Sequence, residues 1–332
     1  MLNLDTLIVP HRRPIYYKNN KGINDIRNIL NHLLKCPIKN FHILPSGNSA
    51  IYLSLYLLSK LKYKTLLIPD MGFWTGFINY GKMLNFDIVK FKTEDGYINT
   101  ETIEKEINKI VEEKNEKPIL GITTLGGYLV RNPVKEIKEI CDKYGVIFIE
   151  DISGGIGGNC GYGDIILCST GSPKVVNCEY GGFLVIYDEL FNKIKFDDYN
   201  IIKNDFNYLL KSYKVPESIY SHMYSEISIC QKTYKKLVEY SDILKNTVEC
   251  SKYVDKEGIG VFLDCNPLTI KHLNQKIVLN NGKSLFTKCP IYERVLKKGL
   301  VIEVKKIHIY DMEKDDFLLM GELINKFTQT LL

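Results

Sequence analysis

Val146-Ile147-Phe148-Ile149-Glu150-Asp151 is the stretch on which the fold turns. Four apolar residues, three of them β-branched, run into two carboxylates, which reads as a strand buried on both faces and ending at a polar edge. Further along, a second apolar run near 164–168 leads into the turn Ser169-Thr170-Gly171-Ser172-Pro173 and then Lys174, with Gly181-Gly182 close behind. Another apolar strand is expected over 182–187.

Working outward, helical and extended patterns alternate from about residue 22 to 190. Ile23, Ile26, Ile29-Leu30 and Leu33-Leu34 recur at helical spacing, and residues 48–61 repeat that rhythm. Thr65-Leu66-Leu67-Ile68, stopped by Pro69, reads as a short buried strand. A helix over about 74–84, a strand over 86–91, an amphipathic helix over 100–113 and a strand over 118–123 follow. The next helix starts near Pro133, whose fixed φ suits a first turn. Such alternation predicts an α/β protein: a three-layer, mostly parallel sheet, with ligands bound beyond the carboxyl ends of the strands. That rule puts Asp151 and the turn before Lys174 at one edge. After about residue 200 the character changes. A long, largely unbroken helical pattern runs over 216–250, with short strands expected near 259–264 and 300–306 and a last helix over about 313–332. The reading is a large domain over 1–205 and a smaller C-terminal α+β domain over 206–332.

The 332 residues carry a formal charge of +5, with 45% hydrophobic and 25% charged residues, the balance of an ordinary globular chain. The basic residues sit in helical Lys/Glu mixtures such as 101–117 rather than in a stripe, so no nucleic-acid partner is expected. No segment reaches the roughly 18 apolar residues of a membrane span, and no signal-peptide pattern opens the chain, so the expected location is cytoplasmic. Nine cysteines in no C-x-x-C spacing and six scattered histidines predict no metal site.

The candidate chemistry lies around the strand ends. A carboxylate closing one strand and a lysine just past another can hold pyridoxal 5'-phosphate (PLP). The acid keeps the pyridine nitrogen protonated and the amine forms the Schiff base with the aldehyde. Asp151 alone could equally be a metal ligand or a loop cap; Ser169 and Lys174, spaced Ser-x-x-x-x-Lys, separate the readings. Ser46-Gly47-Asn48 precedes a helix and could offer a phosphate side-chain donors and backbone N–H groups, although plain N-capping accounts for Ser46 or Asn48 taken singly. Phe73-Trp74 could stack on a flat ring, or open a helix as core. Arg12, Arg13 or Arg294 could bind a carboxylate bidentately. The run Gly154-Gly155-Ile156-Gly157-Gly158 fits no G-x-G-x-x-G register, and Glu150-Asp151 would repel a pyrophosphate there.

In order and spacing these motifs resemble the DegT/DnrJ-type aminotransferases, fold-type I PLP enzymes acting on keto-sugars. The resemblance runs through Ser46-Gly47-Asn48, Pro69-Asp70-Met71-Gly72-Phe73, Glu150-Asp151, Ser169 to Lys174, and Glu179-Tyr180-Gly181-Gly182, covering about residues 40–190. It implies that Asn48 and Ser169 contact the phosphate, that Phe73 stacks on the ring and that Asp151 pairs with the pyridinium. It further implies that Lys174 forms the internal aldimine and that the active site lies in a homodimer interface. The chain departs from the pattern at Gly154, where the family usually has Gln, and at Thr170, where it has an aromatic. The expected function is transfer of an amino group from an amino-acid donor to a small keto or aldehyde acceptor, a keto-sugar among them. Alternatives are another PLP chemistry on the same fold (lyase, decarboxylase or sulfur transfer) or a non-catalytic descendant.

Overall fold

The strand at 146–151 forms because β-branched side chains suit a pleated surface covered on both sides. In the computed structural model, which describes residues 6–34, 36–194 and 196–329, it is one of seven strands of a central sheet. In chain order these are β1 (Asn40–Leu44), β2 (Thr65–Pro69), β3 (Asp87–Phe91), β4 (Ile119–Thr123), β5 (Ile147–Asp151), β6 (Ile165–Ser169) and β7 (Gly182–Ile186). Their spatial order is β1-β7-β6-β5-β4-β2-β3. Neighbours from β6 through to β3 pair in parallel, whereas β7 runs antiparallel to both β6 and β1.

Alternation along each strand sends side chains to opposite faces. Helix α1 (Ile23–Leu34) precedes the sheet; Leu66 and Ile68 of β2 enter one core with Ile147 and Ile149 of β5, under the helices α2 (Gly47–Lys60) and α3 (Gly76–Met83). Leu67 and Phe148 enter the opposite core, under α4 (Thr100–Lys114) and α5 (Val134–Tyr144). The sheet is thus covered on both faces, as the three-layer reading requires. Helix α4 opens on Asn99, whose side chain accepts from Glu101 N and Thr102 N, a cap contributing about 1 kcal/mol.

A second, four-stranded antiparallel sheet is built from residues after 250: Ser251–Lys252, Val261–Leu263, Phe286–Ile291 and Val295–Ile302. Leu7–Val9 pairs in parallel with Ile277–Leu279, tying the start of the described chain to this C-terminal part. No helix among the described residues is long and apolar enough to cross a membrane.

Three expectations need correction. The helix over 216–250 is two, Ser218–Ser228 and Cys230–Thr247, parted at Ile229 (φ −110°, ψ 0°). No breaker marks the spot. A tertiary contact coincides with it: Gly157, at φ +93°, lies so close to the Cys230 carbonyl that a Cβ would collide with it. The glycine run is therefore a packing surface. The strand Asn40–Leu44 was not foreseen, since Asn40 and His42 interrupt its apolar pattern. A further helix, Phe196–Ser212, precedes the long pair. The last helix, Lys314–Gln329, is as expected up to residue 329; 330–332 lie outside the described residues.

Candidate functional site

Parallel strands end together, and the loops that follow them converge at one edge. Asp151 closes β5, Ser169 closes β6, Thr123 closes β4, and Lys174 follows β6 by five residues. Together they wall a cavity of about 420 Å³, within the range of small-molecule sites. Nine of the eleven candidate residues singled out from sequence border it: Ser46, Gly47, Asn48, Phe73, Trp74, Asp151, Ser169, Lys174 and Arg294; Arg13 pairs instead with Asp311 at 2.7 Å.

Asp151 is held by one oxygen. Its Oδ1 accepts from the Ser153 N–H at 2.9 Å and the Ser153 hydroxyl at 2.5 Å. The Ser153 oxygen in turn accepts from the Ser169 N–H at 2.7 Å, so the two strand ends are stitched together. Among the described residues no hydrogen bond to Asp151 Oδ2 is recorded, which leaves that oxygen for a ligand.

Across the cavity, Ser46 caps α2 by accepting from the Ser49 N–H at 3.1 Å. The first turn of this 14-residue helix carries no acidic side chain. Its positive end is therefore uncompensated and favours an anion. Asn48 Oδ1 accepts from Trp74 Nε1 at 2.7 Å, which turns the Asn48 amide nitrogen away from the indole. Phe73 borders the cavity but is only 2% exposed and belongs to the core beneath α2, whereas Trp74 is 39% exposed. Trp74 meets Tyr292 edge to face at a ring separation of 5.4 Å.

Lys174 Nζ donates to the Tyr128 hydroxyl. Burial pulls its pKa down, but the Tyr128 oxygen and the Asp151 carboxylate outweigh burial and hold it above the ordinary 10.5. Tyr128 was not foreseen. It is a bulky residue at φ +69°, a conformation rare outside glycine and found where the surroundings over-determine it. Gly154 makes room for its ring: a Cβ at 154 would lie 2.7 Å from Tyr128 Cδ1. The departure at Gly154 is thereby accounted for, because the tyrosine fills the space a larger side chain would need.

Arg12 is not at the cavity. It is 4% exposed and pairs with Glu226 at 2.6 Å, while Glu226 also accepts from the Ile15 and Asn177 N–H groups. This guanidinium is tied up in the core and does not reach a ligand. Arg294 does border the cavity, but its terminal nitrogens grip both oxygens of Glu303 at 2.5 and 2.9 Å and its Nε donates to the Gly127 carbonyl. Glu303 and Lys305, also at the cavity, were not singled out either. A charged pair inside the apolar run 300–309 was the available signal.

A model of the MJ1341 family C-terminal domain matches residues 231–325. No curated protein matches the chain by sequence. Solved structures do match by shape. Serine palmitoyltransferase from Sphingomonas wittichii superposes with a TM-score of 0.67 at 14% identity, over 95% of this chain and 78% of that one. Alanine–glyoxylate aminotransferase from a Nostoc species gives 0.65 at 10% identity, over 96% and 95%. Threonine aldolase from Leishmania major gives 0.62 at 12%, over 95% and 92%. At these identities the likeness establishes the fold, that of the fold-type I PLP enzymes, across nearly the whole chain.

Proposed function

We propose that this protein is a cytoplasmic PLP-dependent aminotransferase, passing an amino group from an amino-acid donor to a small keto or aldehyde acceptor. The observation that carries the reading is the meeting of the Asp151 carboxylate and the Lys174 amine at one cavity, beyond the carboxyl ends of parallel strands. Serine palmitoyltransferase solved with PLP shares the fold. The residues present fit the cofactor: a carboxylate with a free oxygen, a lysine, and a helix N-terminus without acidic neighbours.

PLP supplies an electron sink when bound. Asp151, oriented by Ser153, holds a proton on the ring nitrogen. Ser46, Gly47, Asn48 and Ser169, with the start of α2, hold the phosphate, and Phe73 and Trp74 keep water from the ring. Lys174 Nζ would take up the proton released from the substrate's α-carbon, and Tyr128 orients that amine. A keto-sugar acceptor and a homodimer, both implied by the DegT/DnrJ resemblance, belong to the same reading. So does a division of the chain at 205/206, with Leu7–Val9 crossing into the second part.

A visible absorbance band in the purified protein, converted to the pyridoxamine form by glutamate, is the expected result. Release of CO₂, an aldehyde or sulfide from the donor, without that conversion, would favour lyase, decarboxylase or sulfur-transfer chemistry. Absence of any band after loading with PLP would favour the non-catalytic descendant.

The raised pKa of Lys174 sets a pH dependence. Below that pKa the reactive free amine grows about tenfold for each pH unit. Capture of PLP by the cofactor-free protein should therefore accelerate steadily between pH 7 and 10. Tyr128→Phe removes the oxygen that raises the pKa and is expected to shift the profile to lower pH, followed by stopped-flow absorbance. An unshifted profile would deny Tyr128 its orienting role.

A further inference from the structure

The wall of the cavity opposite α2 holds more positive charge than it neutralises. Glu303 is 2% exposed and takes two cations at once, Arg294 through both terminal nitrogens and Lys305 at 2.9 Å. Lys305 is 6% exposed, borders the cavity, and sits 3.4 Å from the centre of the Tyr128 ring. Lys174 and the Arg294 guanidinium lie 5.0 Å from the same centre. One carboxylate therefore serves two buried cations, with a third cation beside the same aromatic ring.

Arg294 has its directional donors committed to Glu303 and to the Gly127 carbonyl. Lys305 has a single oxygen partner among the described residues and stands over the Tyr128 ring, which leaves one of its three N–H directions for a ligand. Resting on the PLP-enzyme reading, we propose that Lys305, and not Arg294, is the anchor for the substrate's carboxylate. An incoming carboxylate supplies the negative charge that the cluster lacks. Lys305 forms a charge-assisted hydrogen bond with it.

Titration behaviour agrees. Burial, Arg294 and Lys174 push the Lys305 pKa well below 10.5, and Glu303 offsets them only in part. Glu303 itself is held well below the usual carboxylate range by Lys305 and Arg294, against the effect of burial.

The test uses maleate, a dicarboxylate with no amino group to react with an aldehyde, on the purified full-length protein. Calorimetric titration at pH 7.5 should show maleate binding to the wild type. Lys305→Met should weaken maleate by about tenfold or more. Because methionine fills the same space without the unneutralised charge, this variant is also expected to melt higher, by about 2 °C. The sign follows from linkage. With a depressed folded-state pKa, the unfolded chain binds a proton that the native chain lacks, so wild-type stability rises with pH up to about 10.5 and the advantage of methionine shrinks over that window.

No binding of maleate to the wild type, or equal binding by Lys305→Met, would each overturn the proposal. A lower melting temperature for the variant would make Lys305 a structural partner of Glu303 and overturn it too. The visible band is read separately in the same samples. A wild type that binds maleate but forms no band defeats the cofactor reading and leaves the anion site standing.

Discussion

Lys174→Ala is expected to remove the visible absorbance band and to lower turnover by at least about 10³-fold. The side chain has two tasks in the proposed chemistry, holding the cofactor and moving a proton, so its loss is not repaired by a neighbour. Lys305 is the nearest replacement in kind, but its amine is bound to Glu303 and stands over the ring of Tyr128. The variant should fold. Lys174 hydrogen-bonds only to the Tyr128 hydroxyl among the described residues, and truncating it opens space onto the cavity rather than in the core. Circular dichroism and the melting temperature would establish that the loss is chemical. A band that survives in Lys174→Ala would sink the role given to this lysine.

Arg12→Ala is expected to cost about 3–5 kcal/mol of stability, read from urea unfolding, with little effect on cofactor binding. The arginine is buried against Glu226, whose oxygens also accept two backbone N–H groups, so its removal strands a carboxylate in the core. Burial already raises the Glu226 pKa, and Arg12 counteracts this. In the variant the rise is larger. A carboxyl group with a raised native pKa binds its proton more tightly when folded, so stability falls as pH climbs from 4.5 through the native value. Arg12→Ala should accordingly be less impaired at pH 5 than at pH 7.5. A variant as stable as the wild type would deny the ion pair its structural role, and one that loses only substrate affinity would restore the ligand-binding expectation.

The difference between the two basic residues shows what a sequence can and cannot carry. Lys174 was legible because local pattern places it: an apolar strand, a small-residue turn, then the amine, with Asp151 at the end of a similar strand. Strand ends in a parallel sheet point to one edge whatever the details of packing. Arg12 lies in Val9-Pro10-His11-Arg12-Arg13-Pro14, which has no periodicity to give it a direction. Only its partner, more than two hundred residues away, decides that it turns inward. Tyr128 was missed for the same reason. Its position depends on a backbone at φ +69° and on the empty volume at Gly154, neither of which a linear pattern displays.

The chain's own local chemistry was enough to specify alternating helices and buried strands, hence a mostly parallel layered sheet and the edge at which Asp151 and Lys174 border one cavity. Those features follow from side-chain periodicity and from the chirality of crossovers, which act over tens of residues. Tertiary structure alone decided the break at Ile229, the inward turn of Arg12 and the cluster of Arg294, Glu303 and Lys305 around Tyr128. These depend on steric exclusion and on charges brought together in a poorly solvated interior, where the energy of each group is set by neighbours remote along the chain.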